Sequence, residues 1–195
     1  MTVATSVGPD LRGGAWVTVL SMVTASDDRL WGRVLEWAPP RWIRVFMVRV
    51  SRLADGWLYP LVAVLLLTTG MGGLRVLVAA AAAAATSNTL LFLVKRRVRR
   101  PRPCEVRKPM AFDVEPLNWF ASDRFSFPSG HSLNAFTVFT VVALAYPAVA
   151  APLLLLAASI AASRVVLGLH WLSDVVAGTL AGATIGGAAF LVLVR

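Results

Sequence analysis

From residue 57 onward the chain is a succession of apolar stretches separated by few charges, interrupted by one long polar segment between Lys95 and His131. A helix needs roughly 20 apolar residues to cross the hydrocarbon of a bilayer, and in lipid only helices or closed barrels satisfy their own backbone. The stretches 57–73, 74–94, 132–149, 151–168 and 175–194 each come near that length. The expected fold is therefore all-α, a polytopic membrane helix bundle of about five transmembrane helices. A composition that is 57% hydrophobic, with mean hydropathy +0.71, is far more apolar than a soluble domain of this length and agrees with that reading.

The N-terminal part reads differently. Residues 14–25 are apolar but short, and Asp27, Asp28 and Arg29 are expected to stop them. Between Arg29 and Leu53, tryptophans alternate with arginines around Pro39 and Pro40, a pattern that suits two short helices lying in the headgroup plane. Residues 1–56 are thus read as an interfacial or partly buried segment and 57–195 as the membrane-embedded catalytic domain. Residues 1–14 lack a basic start followed directly by an apolar run, so no cleaved signal peptide is expected.

The net charge of +9 does not signal nucleic acid, because the arginines border apolar spans rather than a soluble, aromatic-interleaved surface. Anionic headgroups and phosphate are the expected partners, with the bilayer itself. A single cysteine, Cys104, excludes an internal disulfide and cannot alone make a metal site. Small residues, the alanine run 79–85 and Gly178, Gly182, Gly186 and Gly187, are expected at close helix contacts.

Alternating the spans across the membrane brings Lys95, Arg102, His131, Arg164, His170 and Asp174 to one face without placing a charge in the hydrocarbon, where it is costly. Pro101 and Pro103 should end the second span and turn the chain. Pro128-Ser129-Gly130-His131 precedes an apolar helix whose first amides offer an anion nest, although Ser129 alone is equally a helix cap. His170 and Asp174 are four apart, a spacing that on a helix puts a carboxylate beside the ring. Arg164 and His170, six apart, share a face only if the helix breaks, and a break is expected near Gly168. Cations and amides for phosphate oxygens, one histidine to attack and one to protonate the leaving oxygen compose a phosphoryl-transfer site. No acidic cluster suited to magnesium accompanies them, so neither metal nor cofactor is expected.

With those residues in hand the sequence resembles the type 2 phosphatidic acid phosphatase family, within the superfamily that includes the vanadium haloperoxidases. Three separated motifs stand in order: Lys95, six residues, then Arg102-Pro103; Pro128-Ser129-Gly130-His131; and Ser163-Arg164, five residues, His170, three residues, Asp174. The resemblance implies that His170 is the nucleophile forming a phosphohistidine and that Asp174 orients and charges it. His131 would protonate the leaving group and then activate water. Lys95, Arg102 and Arg164, with Ser129 and the Gly130 amide, would clamp the phosphate. The implied substrate is a lipid phosphate monoester or a polyprenyl diphosphate, undecaprenyl diphosphate and phosphatidylglycerophosphate among the candidates. Members often carry a further N-terminal span, in whose place this chain has residues 14–54.

A transporter or scaffold in the membrane is the rival reading. Its pathway charges belong at mid-membrane, whereas here they gather at span ends. The excess of arginine on the catalytic face favours, by the positive-inside rule, a cytoplasmic site.

Overall fold

A computed structural model describes residues 15–37, 39–106 and 125–195. The readings made for residues 1–14 and for 107–124, the middle of the polar segment, lie outside these. The described residues form helices α1 (Ala15–Trp37), α2 (Arg41–Leu53), α3 (Leu58–Leu67), α4 (Met71–Val98), α5 (Pro103–Val106), α6 (Gly130–Ala145), α7 (Ala150–Val166) and α8 (Leu172–Leu193), with a single 3-10 turn at Pro147–Val149.

α6 is the axis of the bundle, packed against α4, α7 and α8. Leu133, Ala135, Phe139 and Val141 are buried on its several sides. The outer faces carry exposed apolar side chains instead, including Leu61, Val64 and Leu65 of α3, Phe92 and Leu93 of α4, Leu155 of α7 and Leu180 and Val192 of α8. A belt of this kind is a liability in water and the required surface in lipid. Three stretches are long and apolar enough to cross a membrane: Met71–Val106, Pro147–Val166 and Leu172–Leu193. The α2–α3 pair, bent by 56°, supplies a fourth if taken as one span, and α6 is a shorter apolar helix.

The fold class is as the sequence indicates, but the first expected span is not a continuous helix. α3 has ten residues, about 15 Å of helix against a hydrocarbon core of about 30 Å. It is bounded by Gly56 with φ 146° and Gly70 with φ 75°. The Thr68 and Thr69 hydroxyls fold back onto the carbonyls of Leu65 and Leu66 at its end, the local competition that disfavours further helix. A second correction concerns the N-terminus: Asp27, Asp28 and Arg29 do not end a helix, since α1 runs through them to Trp37. The Pro39-Pro40 pair does separate α1 from α2, as the missing amides require.

Helix association in lipid lacks a hydrophobic drive and relies on close packing. Gly178, Gly182 and Gly186 line one stripe of α8 against the backbone of α6. A Cβ there would stand 2.6 Å from Ser129 O, 2.3 Å from Leu133 O and 2.4 Å from Thr137 O. Gly187, read with them from sequence, meets nothing within 4 Å and is no part of the contact. Where α4 packs on α6, Ala79, Ala80 and Ala83 of α4 are buried, and the Ser87 hydroxyl bonds that of Thr137 at 2.8 Å. Gly182→Ala is therefore expected to cost about 1–3 kcal/mol, read as a lowered melting temperature in detergent, whereas Gly187→Ala leaves it unchanged. Equal effects of the two would contradict this packing.

Candidate active site

The C-terminal end of α4, the N-terminal end of α6, the end of α7 and the start of α8 converge at one end of the bundle. α4 stops at Arg99, which takes a left-handed φ of 49°, and the chain leaves through Arg100, Pro101 and Arg102, which belong to no helix. Lys95, in the last turn of α4, is buried and donates to the Phe125 carbonyl at 2.8 Å. Arg102 is buried too, with Nη1 2.7 Å from the Leu169 carbonyl and 3.3 Å from His170 Nε2.

The break expected near Gly168 is present. α7 ends at Val166, Gly168 has φ 68°, and the amides of Leu169 and His170 both bond the Arg164 carbonyl at 3.0 Å. This turn puts His170 beside Arg164 in spite of their separation. Glycine is required there twice over, because a Cβ would also stand 2.5 Å from the ring of Trp31 on α1. Among the described residues Arg164 is the largest fully buried side chain; it bonds the Ser51 hydroxyl of α2 through Nη1, while its Nε is buried with no hydrogen-bond partner among them. Buried guanidinium N–H groups are rarely left so, and an anion would satisfy this one.

His170 is itself buried. Its Nδ1 lies 2.7 Å from the Ser126 carbonyl, and a carbonyl only accepts, so Nδ1 carries the proton and Nε2 the lone pair. Burial, first, and then the charges of Arg164, Arg102 and Lys95 hold His170 well below the ordinary imidazole value, against a smaller opposing effect of the Ser126 carbonyl. The ring is thus neutral at neutral pH, with its lone pair beside Arg102. Asp174 does not share a helix with it, since α8 begins at Leu172. The Asp174 Oδ2 stands 3.6 Å from His170 Nδ1, beyond hydrogen-bond length, and instead accepts from the Trp171 amide at 2.9 Å.

Ser129 is the N-cap of α6: its hydroxyl accepts from the Ser132 amide and, at 2.9 Å, from the Ser132 hydroxyl. Its own proton remains available to another acceptor. Gly130 and His131 follow in the first turn, with amides at the positive end of the helix. A Cβ at Gly130 would press on Leu91 at 3.0 Å. His131 Nε2 is 2.6 Å from Asp55 Oδ1. Lys95, Arg102 and Arg164 all act electrostatically on His170, and the two arginines act on His131 as well. The structure thereby brings Lys95, Arg102, His131, Arg164 and His170 within electrostatic reach of one another at one end of the bundle, with Asp174 beside His170 and Ser129 and Gly130 at the start of α6.

It also supplies residues that the sequence reading left out. Arg100 donates to Asp174 Oδ1 and Asp27 Oδ2, both at 2.8 Å, and to the Ser173 hydroxyl at 2.7 Å. Asp27 also accepts from the amide and hydroxyl of Ser173. Asp27 and Asp174 are almost wholly excluded from solvent, so Arg100 neutralises two buried carboxylates and pins α1 to the start of α8. Ser126, besides receiving His170, bonds the Arg100 carbonyl through its amide and the Pro101 carbonyl through its hydroxyl. Among the described residues no group of three or more His, Cys, Asp or Glu is gathered as a metal site.

Comparison with known proteins bears on this cluster of residues. The profile described as the PAP2 superfamily matches residues 72–195. A lipid A 1-phosphatase of Rhizobium etli is 35% identical over 86 residues, 44% of this chain and 37% of that protein. A lipid A 1-phosphatase of Rhizobium johnstonii is 34% identical over 91 residues, 47% of this chain and 37% of that one. The chain thus spans little more than a third of the length of these curated relatives. Among solved structures, Aquifex aeolicus LpxE superposes with a TM-score of 0.65 at 26% identity, covering 83% of this chain and 92% of that one. A transmembrane PAP2-type phosphatidylglycerolphosphate phosphatase of Bacillus subtilis has the same fold, with a TM-score of 0.66 at 23% identity over 86% and 84% of the two chains.

Proposed function

This chain belongs to the PAP2 superfamily, and on that premise we propose that it is a membrane lipid phosphatase that hydrolyses a lipid phosphate monoester or a polyprenyl diphosphate through a phosphohistidine. The observation that carries the reading is a buried, neutral His170 with Nδ1–H held by the Ser126 carbonyl and Nε2 set among Arg102, Arg164 and Lys95. A neutral imidazole is a nucleophile, and three cations around it draw in a phosphate dianion and stabilise the charge that grows on its equatorial oxygens. Buried arginines are costly without a counter-anion, so bound phosphate relieves the site as well as being held by it.

In the first step His170 Nε2 bonds to phosphorus as the bond from phosphorus to the leaving oxygen breaks. His131 gives that oxygen a proton. The phosphorylated ring, still carrying Nδ1–H, is cationic, and the Asp174 carboxylate 3.6 Å away stabilises it without taking the proton. In the second step His131 takes a proton from water, the water oxygen bonds to phosphorus, the P–N bond breaks, and neutral His170 is restored. The Ser129 hydroxyl and the Gly130 amide assist the cations at the start of α6. These groups supply the electrostatic role that a metal plays elsewhere, so the reaction is read as metal-independent.

Lipid A-type and glycerophospholipid phosphates are the substrates to try first, since relatives and neighbours bear those names. Phosphate release by detergent-purified protein from lipid A, phosphatidylglycerophosphate, phosphatidate and undecaprenyl diphosphate, in excess EDTA, tests the proposal. Activity that persists in EDTA and is inhibited by vanadate supports it; activity abolished by chelator and restored by magnesium sinks the metal-free mechanism.

We further propose that the site faces the cytoplasm, because Arg96 and Arg97 stand beside Lys95 in the last turn of α4, at the site's end of the bundle. α8 begins at the site and ends away from it. A C-terminal alkaline phosphatase fusion is then expected to be active and a C-terminal fluorescent-protein fusion dark; the reverse pattern puts the site outside.

A further inference from the structure

The elbow between α2 and α3 carries an acidic residue at Asp55, next to Gly56, whose φ of 146° makes the turn. Asp55 Oδ1 is 2.6 Å from His131 Nε2. A carboxylate only accepts, so Nε2 carries a proton directed at Asp55, and Nδ1 is the nitrogen left to exchange a proton with substrate. The charged groups that act on this ring are Arg164 from α7, Arg102 from the turn before α5, and Asp55. Tyr59 of α3, whose buried phenol has no hydrogen-bond partner among the described residues, is a neighbouring titratable group and is acted on by Asp55. Burial, first, and then the charges of Arg164 and Arg102 hold His131 below the ordinary imidazole value, and the hydrogen bond and charge of Asp55 oppose them.

We propose that Asp55 is a positioning residue for the leaving-group proton, its hydrogen bond to His131 Nε2 fixing the ring and favouring the protonated form in which Nδ1–H is directed to the leaving oxygen. The inference rests on the reading of His131 as proton donor given above. Nδ1–H passes to the leaving oxygen as the P–O bond breaks, and the Nε2–H bond to Asp55 persists. When water attacks the phosphohistidine, its proton returns to Nδ1 as the P–N bond breaks, so the dyad ends the cycle as it began.

The test compares a lipid phosphate, whose alkoxide must be protonated to leave, with p-nitrophenyl phosphate, whose phenolate leaves without help. Full-length Asp55→Asn, Asp55→Glu and His131→Ala are assayed with both after matching their melting temperatures and elution to wild type. Loss of a positioned acid costs about 10²–10⁴-fold where protonation is needed. His131→Ala should show that loss with the lipid and far less with the aryl phosphate. Asp55→Asn should repeat the selectivity, with a loss of about tenfold or more on the lipid, and Asp55→Glu should recover most of it. If His131→Ala is selective while Asp55→Asn impairs both substrates equally or neither, the role of Asp55 is overturned and that of His131 stands. If His131→Ala is itself unselective, the donor reading fails and the inference with it. Should Asp55→Asn not fold, failure of Asp55→Glu to retain the lipid-to-aryl ratio of wild type overturns the proposal instead.

Discussion

His170→Ala is expected to abolish phosphate release, with kcat reduced by roughly 10³-fold or more while the protein folds as before. The side chain lost is small and its partners are few: the Ser126 carbonyl and Arg102. Its removal leaves the cation cluster intact, so phosphate should still bind. Unchanged phosphate binding with turnover lost separates a nucleophile from a binding residue; retention of a tenth or more of the activity would contradict the assignment. The same ring predicts the acid limb of the pH profile. Only the neutral form attacks, and burial with three cations holds the folded ring well below the ordinary value of 6.5. Activity in the free enzyme should therefore persist as pH falls through 6.5 and disappear only further down, as the ring finally protonates. An acid limb in kcat/KM at or above 6.5 that belongs to His170 would show that the ring is less buried or less surrounded than described.

Arg100→Met is expected to have the largest effect on stability. It removes the one guanidinium that serves Asp27 and Asp174 together, and leaving buried carboxylates without their cation costs about 3–5 kcal/mol. The melting temperature should fall accordingly, and α1 should become the first segment cut in limited proteolysis. Asp27→Asn, which keeps a hydrogen-bonding group for Ser173 and removes one charge, should cost less. A melting temperature unchanged in Arg100→Met would mean that the Asp27–Arg100–Asp174 chain does not hold α1 to the site.

What the sequence shows of this site is what chain-local chemistry can show. Lys95, Arg102, Ser129, Gly130, His131, Arg164, His170 and Asp174 lie at the ends of apolar stretches, and topology alone sends those ends to one face. Gly168 is legible as a break because Arg164 and His170 cannot share a face on a continuous helix, and the structure has the break there. Asp27, Ser51 and Asp55 are not legible in this way. Each reaches the site through a contact far away in sequence, to Ser173, Arg164 and His131 respectively, and no local pattern distinguishes a buried acid from one that stops a helix. Arg100 is hidden for the opposite reason: it stands in a run of arginines and lysine whose members look alike, yet it alone among Lys95, Arg100 and Arg102 pairs with Asp174. The stretch 57–73 reads as one span by hydropathy. Backbone conformation at Gly56 and Gly70, rather than apolarity, divides it into α3, Leu58–Leu67, and the start of α4 at Met71.

The three glycines of α8 show the reach and the limit of pattern together. Small residues at four-residue spacing correctly mark a close helix contact, and the structure identifies its partner as the backbone of α6, the helix that begins with Ser129, Gly130 and His131. The same stripe that packs the bundle therefore fixes the position of the α6 N-terminus against Asp174, whose carbonyl accepts from the Ser129 amide at 3.0 Å. Packing and site geometry are one structure here.

The central claim is double displacement through His170, and stereochemistry at phosphorus reports on it directly. With a lipid phosphate made chiral by isotopes of oxygen and one sulfur, hydrolysed by purified protein in EDTA, two in-line transfers predict net retention of configuration. Net inversion would mean a single direct attack by water and would contradict the phosphohistidine account.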